Sequence, residues 1–306
     1  MSRPFRFGVS LIAPATGEAW AATCRRAESL GYDVITVADH LGMPAPFPSL
    51  VAAAAATERP RLGTFVLNTG FWNPALLARE VATTNALTGG RLELGLGTGY
   101  VAAEHETAGL PWGTPRERVD RLLHTVEELK TLLAPEGPLH QGTPWPGGKA
   151  PGSIAGGPPR VPLLIGANGD RMLRVAAEHA DIAAFTGART GRNGKLEPLT
   201  AAELDERVSV YRKASAVREE AAELNLLVQI VAVTDDRSTA VRPWLDRLPQ
   251  LTEHEVLDLP VVLIGTLEQI VGRVLELRER YGFSYLTVLE PNLEAFAPVV
   301  GALRGR

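Results

Sequence analysis

A chain of 306 residues that is 45% hydrophobic, 22% charged and 6% aromatic can bury a large core, which excludes disorder, a collagen-like repeat and a coiled coil. Thirty-one Lys and Arg residues against 35 Asp and Glu give a net charge of -4, without the single-signed excess that a nucleic acid or an anionic membrane surface calls for. The lone cysteine, Cys24, cannot close an intrachain disulfide and has no Cys/His partners at zinc spacing, so a reducing compartment, the cytoplasm, is expected and a metal site is not.

Taken in chain order, short β-rich runs alternate with longer helical ones. Residues 5–11 (FRFGVSL) alternate as a strand does rather than as a signal peptide, and nowhere does an apolar run approach the about 18 residues that cross a bilayer. A helix over 17–30 follows, with Trp20, Ala21, Cys24, Ala27 and Leu30 at helical spacing and Gly31 as its stop. Residues 33–38 (DVITVA) form a continuous apolar run suited to a strand covered on both faces, and 48–58 form an Ala-rich helix. Next come a strand over 61–67, a helix over 74–88 with Pro74 in its first turn, a strand over 91–96 and a helix over 115–134 opened by Pro115.

The beat breaks at 135–160, where seven prolines and seven glycines in 26 residues mark an inserted loop. It resumes with a strand over 162–166, a helix over 169–179, a strand over 181–185, a polar loop over 187–199, a helix over 200–222 and a strand over 224–233. A helix over 237–247, a proline-bounded stretch over 249–260, a helix over 266–281, a strand over 284–289 and a helix over 292–304 complete the chain. Eight strands alternating with eight principal helices predict an α/β protein, a single (β/α)8 TIM barrel over residues 1–306 with inserted loops at about 135–160, 187–199 and 249–260. An open dinucleotide-binding sheet needs G-x-G-x-x-G after its first strand. Gly95, Gly97 and Gly99 instead follow the fourth strand at alternate spacing.

In such a barrel the chemistry belongs in the loops just past the strands. After the second strand stands Asp39-His40; after the third, Asn68 leads to Phe71 and Trp72; after the fourth, Gly97-Thr98-Gly99-Tyr100 precede Glu104, His105 and Glu106. After the fifth come Gly166-Ala167-Asn168-Gly169, and after the sixth Phe185-Thr186-Gly187. Glycine turns at helix starts offer backbone N–H groups to an anion, so a phosphate-bearing ligand is compatible with this rim. Arg189, Arg192 and Lys195 lie close by in sequence and either attract such an anion or are simply solvated.

The run ADHL at 38–41, the stretch LGTFVLNTGFWNPALLAREVATTNALTGGRLELGLGTGY at 62–100, the segment 162–187 and the ending 285–303 resemble the luciferase-like flavin and deazaflavin oxidoreductases, and their coenzyme F420-dependent branch in particular. The resemblance implies a TIM barrel binding F420, with FMN as the alternative cofactor. It places His40 beside the reactive carbon with Asp39 next to it, and a non-proline cis peptide at Phe65-Val66. It further implies that Thr98, Gly99 and Tyr100 line the ring, and that Gly166 to Gly169 with Thr186 and Gly187 hold the phosphate. Sugar-phosphate dehydrogenases of that family carry a glutamate where this chain has Tyr100, so their substrate does not transfer directly.

The sequence therefore predicts an oxidoreductase exchanging a hydride between F420 and a small organic substrate, with reduction of a C=C or C=N bond as the direction. His40 and Tyr100 are its expected catalytic residues. Asp39, Phe65, Val66, Asn68, Gly97 and the turn residues above are its cofactor residues, and Phe71, Trp72, Glu104 and His105 its substrate pocket. Asp39 either orients the imidazole or accepts backbone N–H bonds. The rival readings are an FMN-dependent monooxygenase on the same fold and a non-catalytic barrel subunit. The partners expected are a small-molecule substrate and a second copy of the chain, with neither nucleic acid nor membrane.

Overall fold

Eight parallel strands close on one another: β1 (Arg6–Leu11), β2 (Val34–Val37), β3 (Arg61–Thr64), β4 (Leu92–Gly97), β5 (Leu163–Gly166), β6 (Ile182–Phe185), β7 (Glu223–Val228) and β8 (Phe283–Leu289). In this computed structural model, which describes residues 3–12, 16–137, 144–145, 148–149, 160–190 and 196–306, each strand pairs in parallel with the next and β8 returns to β1. Val9 lies opposite Val288 on one side and Ile35 on the other, so the closure falls in the middle of β1. The principal helices are α1 (Gly17–Leu30), α2 (Pro46–Ala56), α3 (Pro74–Leu87), α4 (Pro115–Leu132), α5 (Asp170–His179), α6 (Ala201–Ser215), α7 (Leu267–Tyr281) and α8 (Leu293–Leu303).

Local chemistry accounts for the helix limits. Thr16 caps α1 through its side chain, and Gly31 ends it at φ 91°, a left-handed conformation that glycine adopts without a Cβ penalty. Thr114 with Glu117, Thr200 with Glu203 and Thr266 with Gln269 form capping boxes on α4, α6 and α7, each satisfying otherwise orphaned N–H groups. The strands present Phe7, Val9 and Leu11 to the helical layer, where Trp20, Cys24 and Ala27 of α1 are also buried. Inside the barrel Val34, Leu164, Ile182, Ala184 and Tyr285 form a separate cluster, and Phe65 and Val66 pack onto it.

The third strand is interrupted by a cis peptide at Phe65-Val66 and resumes at Leu67–Asn68, opposite Leu96 and Gly97 of β4. The neighbouring strand makes room by omitting side chains. A Cβ on Gly95 would lie 1.9 Å from the Thr64 carbonyl oxygen, and one on Gly97 would lie 2.5 Å from Val66 Cγ2. A larger residue at 95 requires the backbone to move, and one at 97 requires the Val66 side chain to be displaced.

Several expected boundaries are corrected. The helix expected to 222 stops at Ser215, because Glu223 is already inside the barrel on the Arg6 guanidinium and the chain must turn and extend to deliver it there. The strand expected to 233 leaves the barrel after Val228. Ile230–Val233 pair instead with Val262–Gly265, a strand not anticipated, so the two form a small parallel ribbon. Within 249–260 lies the helix Glu253–Asp258, opened by a Thr252/Glu255 capping box. The polar loop after β6 contains an antiparallel pair, Ala188–Thr190 with Leu196–Pro198. Pro144–Trp145 likewise pairs with Gly148–Lys149 in the proline-rich insertion, most of which lies outside the described residues. Among the described residues no helix is long and apolar enough to cross a membrane.

Candidate active site

The loops after β2, β3 and β4 converge at the C-terminal mouth of the barrel. His40, directly past β2, is mostly buried and is held through both ring nitrogens: Nδ1 lies 2.8 Å from Glu104 Oε1, and Nε2 lies 3.3 Å from the Tyr100 hydroxyl. The Tyr100 ring meets the imidazole edge-on at a centroid distance of 5.4 Å. Glu104 reaches this position from a short helix, Ala102–Ala108, that follows the glycine turn of β4. Burial, and then the Glu104 carboxylate, push the Tyr100 phenol above its ordinary value, so the hydroxyl keeps its proton through the neutral range. A neutral imidazole protonated on Nδ1 satisfies both contacts: Nδ1–H donates to Glu104, and Nε2 accepts from Tyr100.

Asp39 does not orient His40. Its Oδ2 accepts the Asn68 backbone N–H at 3.1 Å and the Trp72 indole N–H at 3.0 Å, which ties the loop after β2 to the loop after β3. Burial raises the Asp39 carboxyl above its ordinary value despite these two bonds. A carboxyl whose folded value is raised contributes stability that is full at low pH and lost as pH rises through that folded value. Asn in its place keeps one oxygen for both donors and removes that loss. Asp39→Asn is therefore expected to raise the melting temperature by about 1–3 °C at neutral pH, with the gain shrinking as pH falls toward the ordinary carboxylate range near 4, read by thermal melts across pH.

Asn68 is a junction. Beyond its N–H to Asp39, its Oδ1 accepts from Gly70 N–H at 3.0 Å and its Nδ2 lies 2.9 Å from His105 Nε2. Gly99, at φ 71°, passes so close that a Cβ there would fall 2.6 Å from the Asn68 amide. His105, expected in the substrate pocket, is instead fully buried. Its Nδ1 donates to the Pro111 carbonyl at 3.0 Å, Nε2 takes the Asn68 amide, and Phe71 and Trp112 cover the ring at 4.9 Å each. Both ring nitrogens are spent, which makes it a brace for the loops rather than a ligand group. Phe71 and Trp72 are half-buried, Trp72 lying edge-on to Phe47 at 5.3 Å. Trp112 and Pro111 were missed in the sequence because nothing local marks a loop proline and tryptophan as support for a histidine six residues earlier. For Glu104 the available signal was its spacing of four from Tyr100 on a turn entering a helix.

Across the mouth, the loops after β5 and β6 meet where the Thr186 hydroxyl donates to Asn168 Oδ1 at 2.8 Å. No side chain caps α5, which begins just past Gly169, and a Cβ on Gly169 would meet nothing within 4 Å. An open, uncapped helix start of this kind suits a phosphate. Thr98 is half-buried and Ala167 and Gly187 are buried, so the latter two offer backbone only. Phe185, expected against the cofactor, turns its side chain into the core, edge-on to Tyr211 and Phe283 at 6.0 and 5.4 Å. Arg189 is paired with Glu197 at 3.3 Å and with Glu203, while Arg192 and Lys195 lie outside the described residues. Asp170 pairs with Arg207 and Arg171 with Asp120, as helix-surface groups do. Between the two sides Val66 forms a floor, packed against Gly97 and within ordinary contact, 3.6 Å, of a Cβ built on Gly166. An apolar side chain between glycines beside an uncapped helix start leaves room for a ring that carries a phosphate. No group of three metal-ligating side chains occurs among the described residues.

The sequence profile of the luciferase-like monooxygenase family matches residues 1–284. The F420-dependent glucose-6-phosphate dehydrogenase of Beutenbergia cavernae is 36% identical over 165 residues, 51% of this chain and 48% of that protein. The 5,10-methylenetetrahydromethanopterin reductase of Archaeoglobus fulgidus is 29% identical over 178 residues, 58% of this chain and 51% of that protein. The chain thus spans about half the length of the curated relatives it matches. A solved F420-dependent secondary alcohol dehydrogenase, in complex with an F420-acetone adduct, superimposes with a TM-score of 0.75 at 17% identity, covering 99% of this chain and 100% of that one. That likeness fixes the barrel fold.

Proposed function

The chain belongs to the luciferase-like monooxygenase family, and from that premise we propose that it is an F420-dependent oxidoreductase exchanging a hydride between the deazaflavin and a small organic substrate, in the direction that reduces a C=C or C=N bond. The observation that carries this reading is the Glu104–His40–Tyr100 chain at the barrel mouth, a proton path ending on an exposed hydroxyl beside the glycine turns. The F420 dependence named for the glucose-6-phosphate dehydrogenases supports the choice of cofactor.

The residues present fit that group. The uncapped start of α5 with Gly166–Gly169 and Thr186 would hold its phosphate, and Val66, Thr98 and Gly99 would flank its ring. When bound, F420 supplies a two-electron hydride carrier, which leaves one proton for the protein to move. Tyr100 is the group placed to give that proton. Its phenol is half-exposed and stays protonated at neutral pH; once it has given its proton to the substrate, the phenolate is reprotonated from Nε2 of a His40 imidazolium that has taken its second proton from water. Glu104 holds Nδ1–H, fixes the ring orientation and stabilises the imidazolium that forms in passing. Phe71, against His105, and Trp72, on Phe47 and Asp39, brace the loop after β3 beside this path.

A fluorescence titration with F420 and FMN side by side tests the assignment. F420 is expected to bind at least about 100-fold more tightly than FMN, a gap of about 2.7 kcal/mol. Tight FMN binding with no response to F420 overturns it.

A further inference from the structure

The loops that surround His40 contain no cationic side chain. Residues 38–45, 65–73 and 97–114, which follow β2, β3 and β4, include Asp39, Glu104 and Glu106 and neither Lys nor Arg. The loops after β1 (12–16), β5 (166–169) and β8 (290–292) add no Lys or Arg, and the last adds Glu290. Among the described residues, the cations in the first helical turns at this rim are engaged: Arg118 lies over the Trp112 ring at 3.9 Å and donates to the Gly113 carbonyl at 3.1 Å, and Arg116 and Arg171 both face Asp120. Further Lys and Arg fall in the loops after β6 and β7. Of these, Arg189 is already bound by Glu197 and Glu203. The loops around His40 thus contribute acids and no Lys or Arg, and Arg118, which packs onto one of them, is already committed to Trp112 and Gly113.

That acidic side is also where apolar surface is left open. Leu41, next to His40, is 49% exposed, Tyr100 is 54% exposed and Leu110 is 37% exposed. Leu110 is fixed there by its N–H on the His105 carbonyl at 2.9 Å. The polar groups that could have recognised a charged or highly hydroxylated substrate are occupied: Asp39 by Asn68 and Trp72, Asn68 by Gly70 and His105, and Glu104 by His40. Glu104 is only 17% exposed, so its charge is poorly screened from anything bound over the imidazole. A phosphate or carboxylate there meets a like charge, and the loops that surround it supply no Lys or Arg to offset that charge.

We infer that this half of the site takes an uncharged, mainly apolar carbonyl, enone or imine compound and rejects phosphorylated and carboxylated ones. The inference rests on the functional reading above, names its substrate class, and separates this chain from a sugar-phosphate oxidising site. Recognition is by apolar contact and by one hydroxyl, and discrimination is by repulsion as much as by attraction.

The test is binding, so it does not depend on turnover. The purified full chain, saturated with oxidised F420, is titrated with cyclohexenone, with its ring-carboxylated analogue and with glucose 6-phosphate, and tryptophan fluorescence is followed. Cyclohexenone is expected to bind at least about 30-fold more tightly than either anion. Leu41→Lys and Leu110→Lys, both at exposed positions, are each expected to narrow that ratio by about 10-fold by supplying the missing counter-charge. Equal affinities, tighter binding of either anion, no binding of the ketone, or a ratio unmoved by both lysines overturns the inference. F420 binding is read separately in the same experiment. Its absence overturns the functional reading, whereas F420 binding with a preference for the anions overturns only the substrate class.

Discussion

His40→Ala is expected to lower turnover with F420 by about 10³-fold while leaving F420 affinity within about threefold of the parent value. The imidazole is the one group that touches both ends of the proton path, with Glu104 at 2.8 Å and Tyr100 at 3.3 Å, and alanine severs it without removing a floor or phosphate contact. Tyr100 would keep its proton but lose the partner that restores it. Glu104→Gln separates positioning from proton transfer. Its amide oxygen can still accept Nδ1–H, so the ring stays oriented, but the charge that stabilises the imidazolium is gone, and the rate is expected to fall about 10-fold with a shifted pH profile. Purely structural roles would leave that profile in place. A His40→Ala enzyme retaining more than about a tenth of the parent rate removes His40 from the mechanism.

The barrel was legible because its signal repeats. Apolar runs such as 33–38 and proline-opened helices such as the one at Pro74 mark each unit, and eight units leave little choice of closure. What escaped the sequence depends on tertiary contacts. The run 224–233 is continuously apolar, and nothing local announces that the chain leaves the barrel after Val228 to join Val262–Gly265. Residues 216–222 read as a helix, yet Arg6 draws Glu223 into the interior and forces the turn.

The site divides in the same way. His40 and Tyr100 could be placed because loop residues past the strands share one rim. His105 was expected on the substrate side of that rim, and its burial follows from Phe71 and Trp112, which reach it from two other stretches of loop. Asp39 offered two readings with equal local support. Trp72, thirty-three residues away, decides between them.

Arg6→Met is expected to cost about 3–5 kcal/mol at neutral pH, a fall in melting temperature on the order of 5–8 °C for a chain of this length. At the N-terminal end of the barrel Arg6 bridges two strands from inside, holding Glu93 of β4 at 2.5 Å and Glu223 of β7 at 2.5 Å, with its guanidinium 4.7 Å from the centre of the Tyr285 ring. Burial opposes its charge, but Glu93, Tyr285 and Glu223 together outweigh that and hold it well above its ordinary value. Glu93 has a second partner in Arg61 at 2.6 Å, whereas among the described residues Arg6 is the one guanidinium bonded to Glu223. Burial already raises the Glu223 carboxyl above its ordinary value against the pull of Arg6. Without Arg6 that folded value climbs further, so stability is retained at low pH and lost as pH rises through it. The deficit of Arg6→Met should therefore be small in acid and complete by neutral pH. Adding Glu223→Gln should recover more than half of it, because the uncompensated charge rather than the lost bond carries most of the cost. A deficit that does not vary with pH, or a double variant no better than the single one, assigns Arg6 to packing instead.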